Sequence, residues 1–177
     1  MPLYEVDGKR PVVGSGTWIA PSAEIIGQVT IGDNCYIGFG AIIRADFGTI
    51  TIGHETAVEE GVIIHEANQV VVGDRVIIGH MAMIHDATIE DCALVGMQSM
   101  ICDYARIGTW AIVAEQSMVR KRQEIPPETI YGGDPARKIR DLSKQHRDFL
   151  KMGQEMYRRL PGTYAATFKK VPPEDAS

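Results

Sequence analysis

Residues 87–119 read "ATIEDCALVGMQSMICDYARIGTWAIVAEQSMV". An aliphatic side chain returns at every sixth position: Ile89, Val95, Ile101, Ile107, Val113 and Val119. Two places before each stands a small residue: Ala87, Ala93, Ser99, Ala105, Ala111 or Ser117. A period of six is neither the period of a helix nor the alternation of an ordinary strand. Self-similarity carried over many units marks a stacked repeat, in which no unit buries its apolar face alone. The same period runs upstream through Ile19, Ile25, Ile31, Ile37 and Ile43, then Ile52, Val58 and Ile64, then Val72, Ile78 and Ile84. Its register slips by a few residues after Ile43, Ile64 and Ile84.

This pattern resembles the hexapeptide repeat of left-handed parallel β-helices, over roughly residues 11–135. The resemblance implies a triangular prism in which each hexad is a short strand plus a corner, and three hexads make a coil. The aliphatic residue then points to the prism axis, and the small residue fills the tight space at the corner. Residues 1–135 are expected to form this β-helix domain, and 136–177 a C-terminal helix and tail packed on it. Ile139, Leu142, Phe149, Met156 and Leu160 fit one helical face, with Pro135 at the start and Pro161 as the stop. The end, "VPPEDAS", is expected to fray.

Composition excludes some classes. Net charge is −5, and no basic run is long enough for nucleic acid; "RKRQ" at 120–123 reads as a solvated edge. No apolar run approaches the ~18 residues of a membrane span, and "MPLYEVDGKR" lacks the layout of a signal peptide. Cys35, Cys92 and Cys102 form no CxxC pair, which points to a reducing cytoplasm.

The repeat converts spacing into position. His65 follows Ile64 and His85 follows Ile84, so both occupy the same place on one face in adjacent coils. Coils stacked about 4.7–4.9 Å apart bring the two imidazoles within reach of one zinc ion. His80 lies two places after Ile78, on another face, with a corner between it and His85. In a trimer, His80 of a second subunit completes a three-histidine site. Arg44 falls in the His65/His85 column one coil below, and Cys102 one coil above. Glu60 lies directly below His80 with Glu59 beside it, so Arg44 and Glu60 of adjacent subunits are expected to pair. His54 and His146 fit no such column and read as structural or solvated.

The stretches "RADFG" at 44–48, "EEGVIIH" at 59–65, "GHMAMIH" at 79–85 and "YGGDPARKIR" at 131–140 together resemble the γ-class carbonic anhydrases. The short form is similar to hexapeptide proteins of the phenylacetate and carnitine operons. The resemblance implies a homotrimer with Zn2+ bound by His65, His80 and His85 between subunits, Fe2+ or Co2+ also suiting imidazoles. It places Arg44 and Asp46 on the family's Arg and Asp, and Tyr131 along the cleft. The sequence departs from the pattern at several points. Glu59 stands for the family's Gln, Glu60 for its Asp, Ala57 for an Asn and Phe47 for a Glu. The insert after His65 is only "EANQ", without the acidic loop that carries a proton shuttle, and Glu66 is an alternative relay.

A zinc ion on three imidazoles lowers the pKa of a bound water to about 7, which gives a nucleophile for CO2. The expected reaction is reversible hydration of CO2 to bicarbonate. A carboxylate at Glu59 also suits a general base, and so a zinc thioesterase acting on acyl-CoA. A hexapeptide acyltransferase and a purely structural metal site are the remaining alternatives.

Overall fold

The computed structural model describes residues 2–172, and the fraying expected of 171–177 lies largely outside them. The chain winds as a left-handed parallel β-solenoid followed by one helix. One face is an eight-stranded sheet running from Trp18–Ile19 to Thr129–Gly132 and Arg137–Asp141. The other two faces merge into a twelve-stranded sheet, because Glu24–Ile31 and Ile42–Ile52 continue around a corner.

Register is what the period of six predicts. Ile25 pairs with Ile43, Ile43 with Ile64, Ile64 with Ile84, Ile84 with Ile101, and Ile101 with Val119. All six are 0% exposed and form one continuous column along the axis. The small residues beside them are buried too, and their hydroxyls serve the corners. Thr56 Oγ1 donates to the Gly73 carbonyl at 2.8 Å, and Ser99 Oγ to that of Ala114 at 2.9 Å. These hydroxyls are thereby satisfied rather than left bare.

The slips all fall at one corner. Ile25 and Ile43 are 18 residues apart, but Ile43 and Ile64 are 21 apart, and Ile64 and Ile84 are 20 apart. The surplus residues after Ile43 and Ile64 form small loops beside Arg44 and His65, whereas the coil that starts at Ile84 is one residue short, pairing with Ile101. The Asp86 carboxylate pins one of them by accepting from the backbone N–H of Ala67, Asn68 and Gln69 at 2.9, 2.8 and 3.2 Å. Gly48 lies so close to the Asn68 carbonyl that an added Cβ would overlap it.

The C-terminal part differs from expectation. Residues Arg137–Asp141 are not helical; they return antiparallel along Thr129–Gly132 and cover the open edge of the eight-stranded sheet. The helix starts at Lys144, where the Ser143 side chain and His146 form a capping box. It continues through Pro161 to Thr167. Its packed face is not the expected one, for Ile139, Phe149 and Met156 are exposed. Leu150, Gln154 and Pro161 are buried, and Tyr157 and Tyr164 stack near Tyr36, with Trp18 also against Tyr164. Those five positions alternate steps of four and three, a true helical stripe hidden by polar and aromatic residue types.

Because the Ile84 side chain is wholly enclosed between coils, Ile84→Ala is expected to cost about 2–5 kcal/mol of stability. Urea unfolding checks this, and a change under 1 kcal/mol would mean that the column relaxes around the gap.

Candidate metal centre

Two strands, Ile63–His65 and Met83–His85, deliver two imidazoles to one place. Ile64 and Ile84 point inward, so the next residue in each turns outward at the corner. His65 pairs in register with His85, and their ring centroids are 5.3 Å apart. Arg44 pairs with His65 one coil below, as the column predicts. Arg44 makes an ion pair with Asp46, whose carboxylate is 3.9 Å from His65 Nε2. Phe47 meets the His65 ring edge-on at 6.2 Å. Phe47 stands where a Glu was the pattern, and it walls this side of the site with an apolar ring.

The His65 Nε2 is buried and has no hydrogen-bond partner among the described residues. Its pKa lies below the ordinary imidazole value, first because of burial, then because of the nearby Arg44 and His85 charges. His85 differs: its Nδ1 lies 2.6 Å from Asp103 Oδ1, and Lys121 Nζ lies 3.3 Å from the other Asp103 oxygen. Asp103 is held below the usual carboxylate range, chiefly by the His85 hydrogen bond.

His80 occupies a different corner, between the eight-stranded sheet and the face that carries His65 and His85. The Glu59 Oε2 accepts its backbone N–H at 3.0 Å and lies 3.0 Å from its ring Nε2. Its Nδ1 is 2.7 Å from Glu60 Oε2, and the Tyr36 hydroxyl donates to the other Glu60 oxygen at 2.7 Å. Glu59 is 5% exposed, with the Tyr157 hydroxyl of the helix against it. Burial, and after it the contact with Glu59, pushes the Tyr157 hydroxyl well above the normal phenol range.

The single chain thus brings Arg44, Asp46, His65 and His85 together, and separately His80, Glu59 and Glu60. Tyr131 belongs to neither group. It continues the inward column above Val113, three rungs from Ile78, which is about 14 Å along the axis at the usual strand spacing. Glu66 is 0% exposed and staples a corner by accepting the Phe47 N–H at 3.1 Å, so it has no direct path to bulk water. His54 accepts from the Asp33 backbone and His146 caps the helix, both structural roles.

Three further residues were not read from the repeat: Asp103, Tyr36 and Tyr157. Asp103 follows Cys102 in the His85 column, so the repeat carried a signal for it. Tyr157 reaches the site from a helix that has no hexad register.

His85, Asp86 and Asp103 also place ligand atoms within 4.8 Å of one another. Two of the carboxylate oxygens are engaged, one by three backbone N–H groups and one by Lys121. The unclaimed nitrogen of His65 makes the two-imidazole column the better cation site.

The repeat model described as "Bacterial transferase hexapeptide (six repeats)" matches residues 10–45. The chain is 35% identical to the carnitine operon protein CaiE of Proteus sp., over 90% of this chain and 82% of that one. It belongs to the γ-carbonic anhydrase-like hexapeptide-repeat family. Within that family it is 32% identical to γ carbonic anhydrase 1, mitochondrial, of Arabidopsis thaliana over 93% of its residues, and spans 62% of that protein's length. A solved family structure, a hexapeptide transferase family protein from Anaplasma phagocytophilum, superposes with a TM-score of 0.89 at 30% identity. The match covers 92% of this chain and 98% of that one.

The depressed His65 value has a signed consequence for the metal-free protein. The unfolded chain holds a proton that the folded chain releases, so this contribution is intact above the unfolded value of ~6.5. It is lost as pH falls through the lower folded value. Metal-free protein is therefore expected to lose more stability between pH ~7.5 and ~5.5 than a His65→Gln variant does, measured by urea unfolding at each pH. Equal losses would mean that His65 titrates normally.

Proposed function

We propose that this chain is a γ-carbonic anhydrase-like metalloenzyme that reversibly hydrates CO2 to bicarbonate at sites between the subunits of a homotrimer. The observation that carries this reading is the in-register pair His65 and His85, with a buried His65 Nε2 that lacks a partner. A bare buried nitrogen has given up its water without a replacement, a cost that coordination removes. The donor set fits zinc, which takes imidazole nitrogens such as the unclaimed His65 Nε2, and it suits Fe2+ or Co2+ equally; at His80 the ion would take the place of the Glu59 contact on Nε2. His65 and His85 would hold the ion from one subunit, and His80 from the next.

An apolar stripe supports lateral assembly. Ile63, Met83 and Met100 point outward on the face that bears the two histidines, and are 39%, 37% and 46% exposed. Such a stripe favours coverage by another protein surface. The likeness to γ carbonic anhydrases 1 and 2 of Arabidopsis thaliana supports an anhydrase reading.

When bound, a zinc ion on three imidazoles supplies a water acidified to a pKa of about 7. Glu59 enters beside His80, because its carboxylate contacts both the backbone and the ring of that residue. For CO2 hydration it would orient that water, while its negative charge beside the metal would oppose formation of hydroxide. Tyr157 lies against Glu59, and the Tyr36 hydroxyl donates to Glu60, which in turn faces the His80 Nδ1. Arg44 and Asp46 form the charged floor beneath His65.

A second reading, hydrolysis of an acyl thioester, is favoured by one observation. Glu59 is a nearly enclosed carboxylate, able to act as a general base where a Gln could only orient water. Glu59→Gln is expected to raise CO2 hydration and lower thioester cleavage; if neither rate changes, Glu59 has no part in the choice.

The test of the metal reading is metal analysis of anaerobically purified protein, with both reactions assayed on the same sample. Stoichiometric zinc that disappears in His85→Ala is expected. A complementation experiment tests the shared site. His80→Ala and His65→Ala should each be inactive alone, yet regain activity when co-refolded into mixed trimers, since one interface then carries a complete set. No recovery from a mixture shown to contain mixed trimers would exclude a site between subunits.

A further inference from the structure

The metal reading leaves open what makes His85 a competent ligand. A neutral imidazole has one bare nitrogen, and which one it is depends on what holds the proton of the other. His85 Nδ1 lies 2.6 Å from Asp103 Oδ1, within the range of a charge-assisted hydrogen bond. Asp103 is not a neighbour in sequence. It stands 18 residues on, beside Cys102, in the coil above His85. Its second oxygen faces Lys121 Nζ at 3.3 Å, and Lys121 in turn lies over the Tyr104 ring, 5.4 Å from its centroid. The carboxylate is thus held from above by a cation and presents an oxygen downward to the imidazole.

We infer that Asp103 is the positioning residue of the site: it holds the proton on His85 Nδ1 and so keeps His85 Nε2 bare and aimed for metal. This rests on the metal reading above and adds to it a residue outside the histidine set. His80 also has a carboxylate on its Nδ1, Glu60 at 2.7 Å, but a second one, Glu59, lies 3.0 Å from its Nε2. Among the described residues His65 has no carboxylate on its ring at hydrogen-bond distance, Asp46 being 3.9 Å away. Of the two histidines that one subunit would contribute together, only His85 has its tautomer set by a close carboxylate. Loss of Asp103 leaves the ring in either tautomer, one of which places a proton on the metal-facing nitrogen. Carboxylates behind metal-binding histidines typically contribute about 10- to 100-fold in affinity.

The experiment compares wild type, Asp103→Asn, Asp103→Ala, His65→Ala and His85→Ala by zinc competition with a chelator. Subunit mass and metal-free melting serve as controls for folding, and two substitutions at Asp103 guard against one that fails to fold. Asp103→Asn and Asp103→Ala should bind zinc about 10- to 100-fold more weakly than wild type, with trimer and melting unchanged. His65→Ala and His85→Ala should lose zinc outright. A second readout needs no metal: nitrogen-15 shifts of His85 in metal-free protein at about pH 8, where imidazole is neutral. These should report the Nδ1–H form in wild type and a mixed or reversed tautomer in Asp103→Ala.

Unchanged zinc affinity and unchanged tautomer in folded Asp103 variants would overturn the inference while leaving the metal reading intact. Complete loss of zinc in Asp103→Asn, with zinc retained in His65→Ala, would also overturn it, since Asp103 would then be a ligand of a different site. A wild-type protein that binds no zinc would overturn the metal reading, and with it any role of Asp103 toward a metal, even if the tautomer shifts as expected.

Discussion

Backbone N–H groups of each coil donate to carbonyls of the coil above: Ile42 to Val62, Ile63 to Ala82, Met83 to Ser99, Met100 to Ser117. This ladder is the constraint on which the rest depends. It locks coils at one spacing and one register, so a residue's place around the prism decides which side chains lie above and below it. The core column and the His65/His85 pair are two products of the same ladder, one inside and one outside. A slip of one residue in either coil would turn His65 or His85 inward and an isoleucine outward, so the stability of the core also enforces the geometry of the site.

The loops at the third corner show how the ladder tolerates irregularity. Extra residues enter after Ile43 and after Ile64, yet Ile52 and Val72 pair in register immediately beyond them. The surplus is absorbed outside the ladder and pinned by buried carboxylates, Asp86 on three N–H groups and Glu66 on one. Acidic residues in this region therefore do different work. Some staple backbone, as Asp86 and Glu66 do; others face imidazole rings, as Glu59, Glu60 and Asp103 do.

Much of this was legible in the sequence because a six-residue period is a strong constraint. It gave the columns of Arg44, His65, His85 and Cys102, and put Glu60 beneath His80. What it could not give was anything built by elements outside the repeat. The helix face escaped because Gln154, Tyr157 and Tyr164 carry it, and the more apolar Phe149 and Met156 point to solvent. Tyr157 therefore could not be seen to reach Glu59. Arg137–Asp141 read as helix because its composition says little, whereas an uncovered sheet edge says a great deal once the fold is known. Tyr131 was placed near the cleft on resemblance, and the register puts it above Val113 at the top of a column, near the prism's end.

That antiparallel return has a consequence for how the molecule meets copies of itself. A parallel solenoid is a growing polymer in one dimension: its last coil offers the next one an unfilled row of donors and acceptors. Running Arg137–Asp141 backwards across Thr129–Gly132 acts as a chain terminator on the eight-stranded face, since the row is filled in the opposite polarity, with charged side chains outward. Growth along the axis is closed there, and the prism's flanks remain as the surfaces on which an assembly of fixed size can be built.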